Sequence, residues 1–340
     1  MIGRPGFPAG PGRGGFGLNT GLLAVLLGLI VLFSLLAGSD FLSLRTVSAF
    51  AFQLPELGIL SLAMMVAMLS GGLNLSVIAL ANLCALTMGS LLTVLPAGES
   101  GLPWLAAVVA SVAAGFVVAA IVGLVTGYII AYIGVSPILA TLGMMTLLSG
   151  ISVGMTRGNI VSGFPDAIVF FGNGTVVGIP VPLLIFIACV VPVAILLTRS
   201  PFGLSVTMIG SNQRATHYSG VDTRRALVKL YVLSSLLACL AGFVMMARFN
   251  SANASYGESY LLVTVLACVL GGADPYGGFA RTSGLVLALV ILQVISSAFN
   301  LLGFNPFFAI AIWGLILIAT TALRAVAGGN LRLIDWRLFR

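Results

Sequence analysis

The sequence predicts an all-α integral membrane protein with about ten transmembrane helices. Of its 340 residues, 60% are hydrophobic and only 7% are charged, whereas an ordinary soluble domain carries about 25% charged residues. A soluble globule of this length would need a charged surface that so few ionic side chains cannot supply. Apolar stretches recur along the whole chain, and a hydrocarbon core about 30 Å thick needs about 20 helical residues to cross.

Taken in order, the apolar stretches give ten predicted spans. The first, 20–38, follows a Gly- and Pro-rich stretch, 1–19, that we expect to be a disordered cytoplasmic tail. A cleaved signal peptide is the competing interpretation, although "SLLAGSD" fits a small-x-small cleavage site poorly. The other spans are predicted at 46–70, 73–95, 104–133, 136–156, 176–198, 226–247, 259–273, 282–300 and 305–324. The transmembrane domain is therefore placed at 20–325, and a basic cytoplasmic C-terminal tail at 326–340.

Two of these spans have features of their own. The long fourth span, 104–133, is expected to be tilted or broken. It contains Gly123 and Gly127, and the next span contains Gly150 and Gly154. Small residues four apart let helix backbones approach closely in lipid, so these pairs predict a compact bundle.

The distribution of charge predicts the orientation in the membrane. The N-terminal tail, the segment 199–229 and the C-terminus each carry net positive charge. Ten spans place these three regions on one side, and the loops on the other side have no net positive charge. Because Lys and Arg accumulate in cytoplasmic loops, both termini are predicted to be cytoplasmic. The overall charge of +7 is explained in this way, and no Arg-rich face with interleaved aromatics indicates nucleic-acid binding.

No catalytic or metal site is indicated. The four cysteines lie in apolar segments, a pattern typical of small buried hydrophobic residues, and the single histidine, His217, cannot build a metal centre alone. The sequence has no phosphate-binding loop of the Gly-x-x-x-x-Gly-Lys type. We therefore expect no enzyme and no bound cofactor, and any uphill transport would be driven by a gradient or by another subunit.

The first unusual stretch is an acidic residue within an apolar run. Glu56 follows Pro55 in "QLPELGIL", and a charged side chain at the bilayer centre costs about 2.5–3.5 kcal/mol on insertion scales. Such a residue is expected to face water, to lie near the interface or to be protonated.

A polar cluster in "GGLNLSVIALANL" follows it. The pair Gly71 and Gly72 is predicted to interrupt the helix, and Asn74 and Asn82 fall within about 80° of each other on one helix face. Broken helices line substrate sites in transporters. The predicted substrate pathway consists of Glu56, Gly71, Gly72, Asn74, Ser76 and Asn82. The alternative is that the asparagines only hydrogen-bond neighbouring helices.

The second unusual stretch is the polar segment "GSNQRATHYSGV", 210–221. Ser211 or Asn212 can cap a short helix over 213–219, and Gly220 is a natural residue to end it. A short cytoplasmic helix between two membrane spans suits the transmission of force from a partner. The alternative is a solvated basic loop that touches anionic lipid.

Five motifs, in this order, carry a resemblance to a known family. The first, "GGLNLSVI" (71–78), resembles a family motif "GGIDLSVG", and "GSNQRATHYSGV" (210–221) resembles the coupling segment "GxNxEAAxxSGI". Three later motifs also match, namely "LLACLAGFVMMAR" (236–248), "VLGGADPYGG" (269–278) and "SAFNLLGFNPF" (297–307). The chain resembles the membrane permeases of bacterial ABC importers for ribose and similar sugars, which are related to branched-chain amino-acid permeases.

The resemblance implies a multi-pass permease subunit that moves a sugar or similar small polar solute across the inner membrane. It implies cytoplasmic ATP-binding subunits that hold the ATP, a second permease chain, identical or related, and a periplasmic substrate-binding protein. Membrane lipid surrounds the permease chains. The implied ATPase-coupling residues are Asn212, Gln213, Arg214, Ala215, Ser219 and Gly220.

Some positions depart from the family pattern. Asn74 replaces the family's aspartate, and Arg214 replaces its acidic residue in the coupling segment. Leu261 and Val263 replace an acidic pair after Tyr260. These departures leave the identity of the solute open.

Two other functions are compatible with the residues alone. An ion- or proton-coupled secondary transporter would use the same helix break, with Glu56 as the ion-linked group. A non-transporting structural subunit would use the asparagines only to join helices.

Overall fold

A computed structural model describes residues 15–38, 41, 43–94 and 101–327, and within them the chain is an all-α membrane protein of twelve helices. The helices are α1 (Gly15–Ala37), α2 (Leu44–Leu69), α3 (Val77–Leu92), α4 (Leu102–Tyr128), α5 (Pro137–Thr156), α6 (Asp166–Asn173), α7 (Val181–Arg199), α8 (Pro201–Tyr218), α9 (Thr223–Phe249), α10 (Tyr260–Leu270), α11 (Thr282–Leu301) and α12 (Pro306–Ala327). A π-helical turn, Ile129–Ile133, extends α4 and ends at Gly134, whose φ is +85°.

Four two-residue strands form two small antiparallel pairs. They are β1 (Val161–Ser162), β2 (Thr175–Val176), β3 (Ile179–Pro180) and β4 (Ser251–Ala252). The first pairs with β4, so that Val161 lies opposite Ala252, and β2 pairs with β3 as a hairpin between α6 and α7. The β1–β4 pair ties the segment after α5 to the end of α9.

The core is built around α2 and α9. Of their apolar spans, 89% and 78% of residues are buried, compared with 11% in α1 and 22% in both α5 and α7. Helices α2, α3 and α4 all pack against α9, which places it at the centre of the bundle. The exposed faces of the outer helices are apolar, as a surface solvated by lipid tails requires.

Small residues bring α4 and α9 into backbone contact. A Cβ atom on Gly127 would lie 2.8 Å from the Cα atom of Val228, and one on Gly123 would lie similarly close to α9. The predicted close approach at this pair is therefore confirmed. The pair Gly150 and Gly154 makes no such contact, since an added Cβ would meet no described atom within 4 Å.

The predicted all-α class of membrane protein is confirmed, and several predicted spans differ from the helices in length. Seven helices in the described part of the chain, α1, α2, α4, α5, α7, α9 and α11, are long and apolar enough to cross a membrane. Helices α3 and α10 have 16 and 11 residues, so they are about 24 Å and about 16 Å long. Both are shorter than the spans predicted at 73–95 and 259–273.

Three helices differ from the prediction in where they begin or in being present at all. Helix α8 begins at Pro201, because the Ser200 hydroxyl caps it by accepting a hydrogen bond from the Gly203 amide at 3.1 Å. Helix α6 lies in a connection for which the sequence predicted none. Helix α1 begins at Gly15, inside the predicted tail 1–19. Residues 1–14 and 328–340 of the two predicted tails lie outside the described residues.

Candidate functional site: the helix break, a polar cavity and the coupling segment

The helix break predicted at the glycine pair lies between α2 and α3. Gly71 has a φ of +82°, a conformation that side chains with a Cβ rarely adopt. Gly72 packs so closely that an added Cβ would lie 2.6 Å from the Tyr231 hydroxyl and 2.8 Å from Pro137. The helix ends here, and these two backbone positions are glycines because neither has room for a side chain.

A buried hydrogen-bond network follows the break. The Asn74 amide donates to the Ser234 hydroxyl at 2.9 Å, and this hydroxyl donates to the Ala63 carbonyl, also at 2.9 Å. The Ser76 hydroxyl donates to the Asn74 side-chain oxygen at 2.7 Å. Asn74 and Ser76 are each only 1% exposed. The network joins the break to α9 and α2, and its polar groups are satisfied within the chain.

Asn82 has a similar structural environment. Its amide donates to the carbonyls of Ala254 and Tyr256, both at 2.8 Å. These carbonyls lie in the loop between β4 and α10. The side chain thus fixes this loop onto α3, whereas the structural alternative expected a hydrogen bond to a neighbouring helix.

Three chain segments meet next to the break at four glycines, Gly71, Gly210, Gly277 and Gly278, which we call the glycine junction. A Cβ on Gly210 would collide with the Leu69 carbonyl and the Gly278 amide, and a Cβ on Gly277 would collide with the Gly71 amide. The Gly278 amide donates to the Leu69 carbonyl at 2.9 Å. The break is therefore in direct backbone contact with α8.

The predicted coupling segment, 210–221, begins at Gly210, which is one of the junction glycines. At Asn212 the backbone leaves the helical region (φ −163°, ψ 100°), and its side-chain oxygen accepts a hydrogen bond from the Ala215 amide at 3.0 Å. The cap predicted at Ser211 or Asn212 is thus formed by Asn212. A short helix follows from Gln213 to Tyr218, and Gly220, with a φ of +83°, lies just beyond its end.

The short helix presents most of its side chains to the surroundings. Gln213, Arg214, Ala215 and Ser219 are exposed, whereas Thr216 is only 2% exposed and its hydroxyl donates to the Asn212 carbonyl at 2.8 Å. One buried residue anchors the helix and the others remain available for contact with a partner.

Glu56 lies in a different part of the bundle. It is 2% exposed, and one of its carboxylate oxygens lies 2.8 Å from an Arg248 nitrogen and accepts a hydrogen bond from the Tyr260 hydroxyl at 3.1 Å. Arg248 stands in the last turn of α9, where Asn173 of α6 donates to its carbonyl at 3.0 Å. The buried carboxylate is therefore paired with a cation held by a well-fixed helix end, as a buried charge requires.

This ion pair lines a cavity of about 200 Å³, which we call the polar cavity. Its lining residues are Gln53, Glu56, Leu57, Arg248, Phe249, Tyr260, Leu292, Gln293, Ser296 and Trp313. The Gln293 amide donates to the Gln53 side-chain oxygen at 2.9 Å across its wall. A second cavity of about 260 Å³ shares Ser296 and Trp313 with it.

Apart from an Arg248 nitrogen that is ion-paired with Glu56, two lining residues hold buried polar atoms that lack a hydrogen-bond partner among the described residues. They are the second carboxylate oxygen of Glu56 and the indole nitrogen of Trp313. One is an acceptor and the other a donor. Buried polar groups are nearly always satisfied, so these two atoms indicate that a polar solute or water completes the site.

The structure separates the residues predicted to form one pathway. Of these six, Glu56 lines the polar cavity, whereas Gly71, Gly72, Asn74, Ser76 and Asn82 lie outside the linings of the polar cavity and its neighbour.

The sequence reasoning missed most of the residues that surround Glu56. Gln53 precedes it by three positions, which places both on one face of α2. Gln293 and Ser296 have the same spacing in α11. Paired polar residues at helical spacing within apolar spans were the signal available.

Sequence comparisons show which known proteins this chain is similar to. Residues 46–321 match the family described as branched-chain amino acid transport system / permease component. The autoinducer 2 import system permease protein LsrD of Photorhabdus luminescens is 29% identical over 328 residues, which cover 94% of this chain and 95% of that protein. The protein of the same name from Yersinia enterocolitica is 31% identical, covering 94% and 96%. No solved structure matches the chain.

Proposed function

The chain belongs to the family of branched-chain amino acid transport system permease components, and we propose that its solute passes through the polar cavity beside Glu56. It is the permease subunit of an ABC importer for a small polar solute, and a multi-pass protein of the bacterial inner membrane. Of the functions compatible with the sequence, family membership supports this one over a secondary transporter or a structural subunit.

One observation carries the assignment of the cavity. A buried acceptor on Glu56 and a buried donor on Trp313 are unpartnered among the described residues, and both residues line the same cavity. Arg248 balances the charge of Glu56, so the site offers hydrogen bonds without a net charge. Such a lining suits a neutral solute with hydroxyl or carbonyl groups. The relatives are named for the import of autoinducer 2, and a small polar solute of that kind is consistent with this lining.

The other predicted pathway residues have a different role in this proposal. Gly71 and Gly72 form the break, and Asn74, Ser76 and Asn82 hold the surrounding helices and loop in place through buried hydrogen bonds. They shape the inner end of the pathway without binding the solute.

Ten spans with both termini in the cytoplasm remain the topology that we propose. It counts the short helices α3 and α10 as spans, each extended by the non-helical residues next to it, since such backbone is tolerated at membrane depth when it is buried in protein. It places the coupling segment in the cytoplasm and Arg248 towards the opposite face.

The proposed partners follow from this topology. A separate ATP-binding subunit hydrolyses ATP and docks on the helix Gln213–Tyr218, and a second permease chain completes the pathway. A periplasmic substrate-binding protein delivers the solute to the opposite face. Closure of the ATP-binding subunits moves the coupling helix, and the glycine junction passes that movement to the helix break.

Affinity purification of the tagged chain from its native membrane tests the assembly. We expect an ATP-binding subunit to co-purify in stoichiometric amount, and mass spectrometry identifies it. Reconstitution of the purified complex in proteoliposomes then tests the energy source. Uptake that requires ATP and resists a protonophore supports the proposal, whereas uptake that a protonophore abolishes while ATP stays high contradicts it.

A further inference from the structure

A large groove lies on the bundle surface between the end of α4 and the beginning of α9, and it shares no lining residue with the polar cavity. Its volume is about 700 Å³. The walls include Leu124, Val125 and Ile129 from the α4 side and Val228 from α9. The contact between Gly127 and Val228 brings the two helices together here, so the groove is the valley beside a tight helix crossing.

One end of the groove is aromatic. Tyr128 and Tyr132 stack with their ring centroids 5.0 Å apart and an angle of 18° between the ring planes. Tyr132 belongs to the π-helical turn, which continues α4 beyond Tyr128. Tyrosines of this kind are typical of the membrane–water interface, where the ring is partly apolar and the hydroxyl remains wet.

The same end is strongly basic. Arg225 and Lys229 line the groove one helical turn apart, and the guanidinium of Arg224 lies 5.5 Å from the centre of the Tyr132 ring. All three cations are exposed. Asp222 pairs with Arg225 at 3.0 Å, which leaves an excess of positive charge at the mouth.

We propose that this groove binds an anionic phospholipid, with the headgroup phosphate at Arg225 and Lys229 and an acyl chain along the apolar wall. Basic pockets between transmembrane helices at the cytoplasmic side suit such headgroups. A symmetric contact between two copies of this chain at the groove would bring the Arg225 and Lys229 side chains of both copies together. Because these like charges repel, a lipid is favoured over a second copy as the occupant. The inference uses the proposed cytoplasmic position of α9's first turn, and it is independent of the proposed solute and pathway.

Native mass spectrometry of the purified full-length protein tests the proposal. We expect phosphatidylglycerol adducts to exceed phosphatidylcholine adducts in the unaltered protein. In Arg225→Gln/Lys229→Gln we expect a roughly twenty-five-fold loss of phosphatidylglycerol affinity, since each of the two basic residues contributes about fivefold near an anionic lipid surface. Arg199→Gln is the matched control, because Arg199 is a basic residue in the same charged segment outside the groove, and it should retain the preference.

A variant of the apolar wall tests the acyl-chain contact separately from the charges. Val125→Trp keeps every charge but fills the wall, so it should weaken phosphatidylglycerol binding if the acyl chain lies there. Equal binding of the two lipids by the unaltered protein would overturn the proposal. Three other results would also overturn it. The double glutamine variant could keep the lipid preference of the unaltered protein, or glycerol phosphate could displace the lipid at a similar concentration. The third such result is efficient crosslinking between two copies of the Leu124→Cys variant.

Discussion

Two buried polar clusters in this bundle differ in whether their hydrogen-bonding atoms find partners within the chain. Around the helix break, Asn74, Ser76 and Ser234 satisfy one another and the Ala63 carbonyl. Around the polar cavity, Glu56 retains an unpartnered oxygen in the part of the chain that the structure describes. Burying either cluster in a membrane costs free energy. The difference teaches that a polar residue in an apolar span is a stronger site candidate when it lines a cavity and its partners are incomplete.

The largest effect should come from breaking the buried ion pair. Glu56→Gln leaves Arg248 without its anionic partner, which we expect to cost about 3–5 kcal/mol of stability. Thermal unfolding in detergent measures this loss. The double variant Glu56→Gln/Arg248→Gln should regain most of the stability, because no uncompensated charge remains.

Uptake by that double variant separates binding from structure. We expect solute uptake in proteoliposomes to stay far below that of the unaltered protein despite the restored stability, because the carboxylate acceptor is lost. A stable double variant with normal uptake would show that the pair is only structural, and would remove the distinction between the two clusters.

A smaller effect is expected at the helix break. Asn74→Ala leaves the Ser76 hydroxyl without its acceptor and removes a donor to Ser234, at a cost of about 1–3 kcal/mol. Uptake per folded molecule should not change, because Asn74 binds no solute in our proposal. If folded Asn74→Ala protein transports poorly, the break belongs to the pathway after all, as the sequence predicted.

The coupling segment gives a third comparison. Its key residue, Gly220, is constrained by its backbone conformation and not by side-chain hydrogen bonds. Gly220 has a φ of +83° with no described atom within 4 Å of an added Cβ. Gly220→Val should therefore cost about 1–2 kcal/mol through the left-handed conformation alone. We expect ATP hydrolysis to continue while uptake falls.

Gly220→Asn is the matched control, because asparagine tolerates the left-handed conformation. It should keep hydrolysis and uptake coupled when both are measured in the same proteoliposomes. Coupled transport by the valine variant would count against docking at this segment.

The smallest effect is expected at Trp313. Trp313→Phe keeps an aromatic wall in the polar cavity but removes the indole donor. Stability should hardly change, since that nitrogen has no partner among the described residues. One lost hydrogen bond to the solute, worth about 0.5–1.5 kcal/mol, should raise the apparent KM for uptake roughly two- to tenfold. An unchanged KM would place the solute elsewhere.

Much of the fold could be predicted from local signals. The apolar spans, the break at Gly71 and the cap at Asn212 depend on composition or on backbone conformations that few residues adopt. The lengths of α3 and α10 could not be predicted in this way, because their ends are set by contacts with distant segments. Asn74, for example, lies just before α3 and donates to the Ser234 hydroxyl, 160 residues away in the chain.

The candidate site was only partly predictable for a related reason. Glu56 stands out as an acidic residue in an apolar run, whereas Arg248 at the end of α9 resembles any basic residue near a membrane interface. Only the packing of α9 and α10 against α2 brings Arg248 and Tyr260 to the carboxylate. Asn74 and Asn82 were equally conspicuous in sequence, and their satisfied hydrogen bonds become visible only in three dimensions.

The glycine junction restricts the mutations that this protein can accept during evolution. In an ordinary core, a mutation to a larger side chain can be accommodated when a neighbouring side chain is replaced by a smaller one. At Gly71, Gly210 and Gly277 the atoms that an added Cβ would meet are backbone atoms, and at Gly278 they include the backbone of Ser211, so a smaller neighbouring side chain gives no relief. Any substitution there must be accommodated by shifts of the backbone, and compensating mutations should arise at a distance, in the helices that carry those segments.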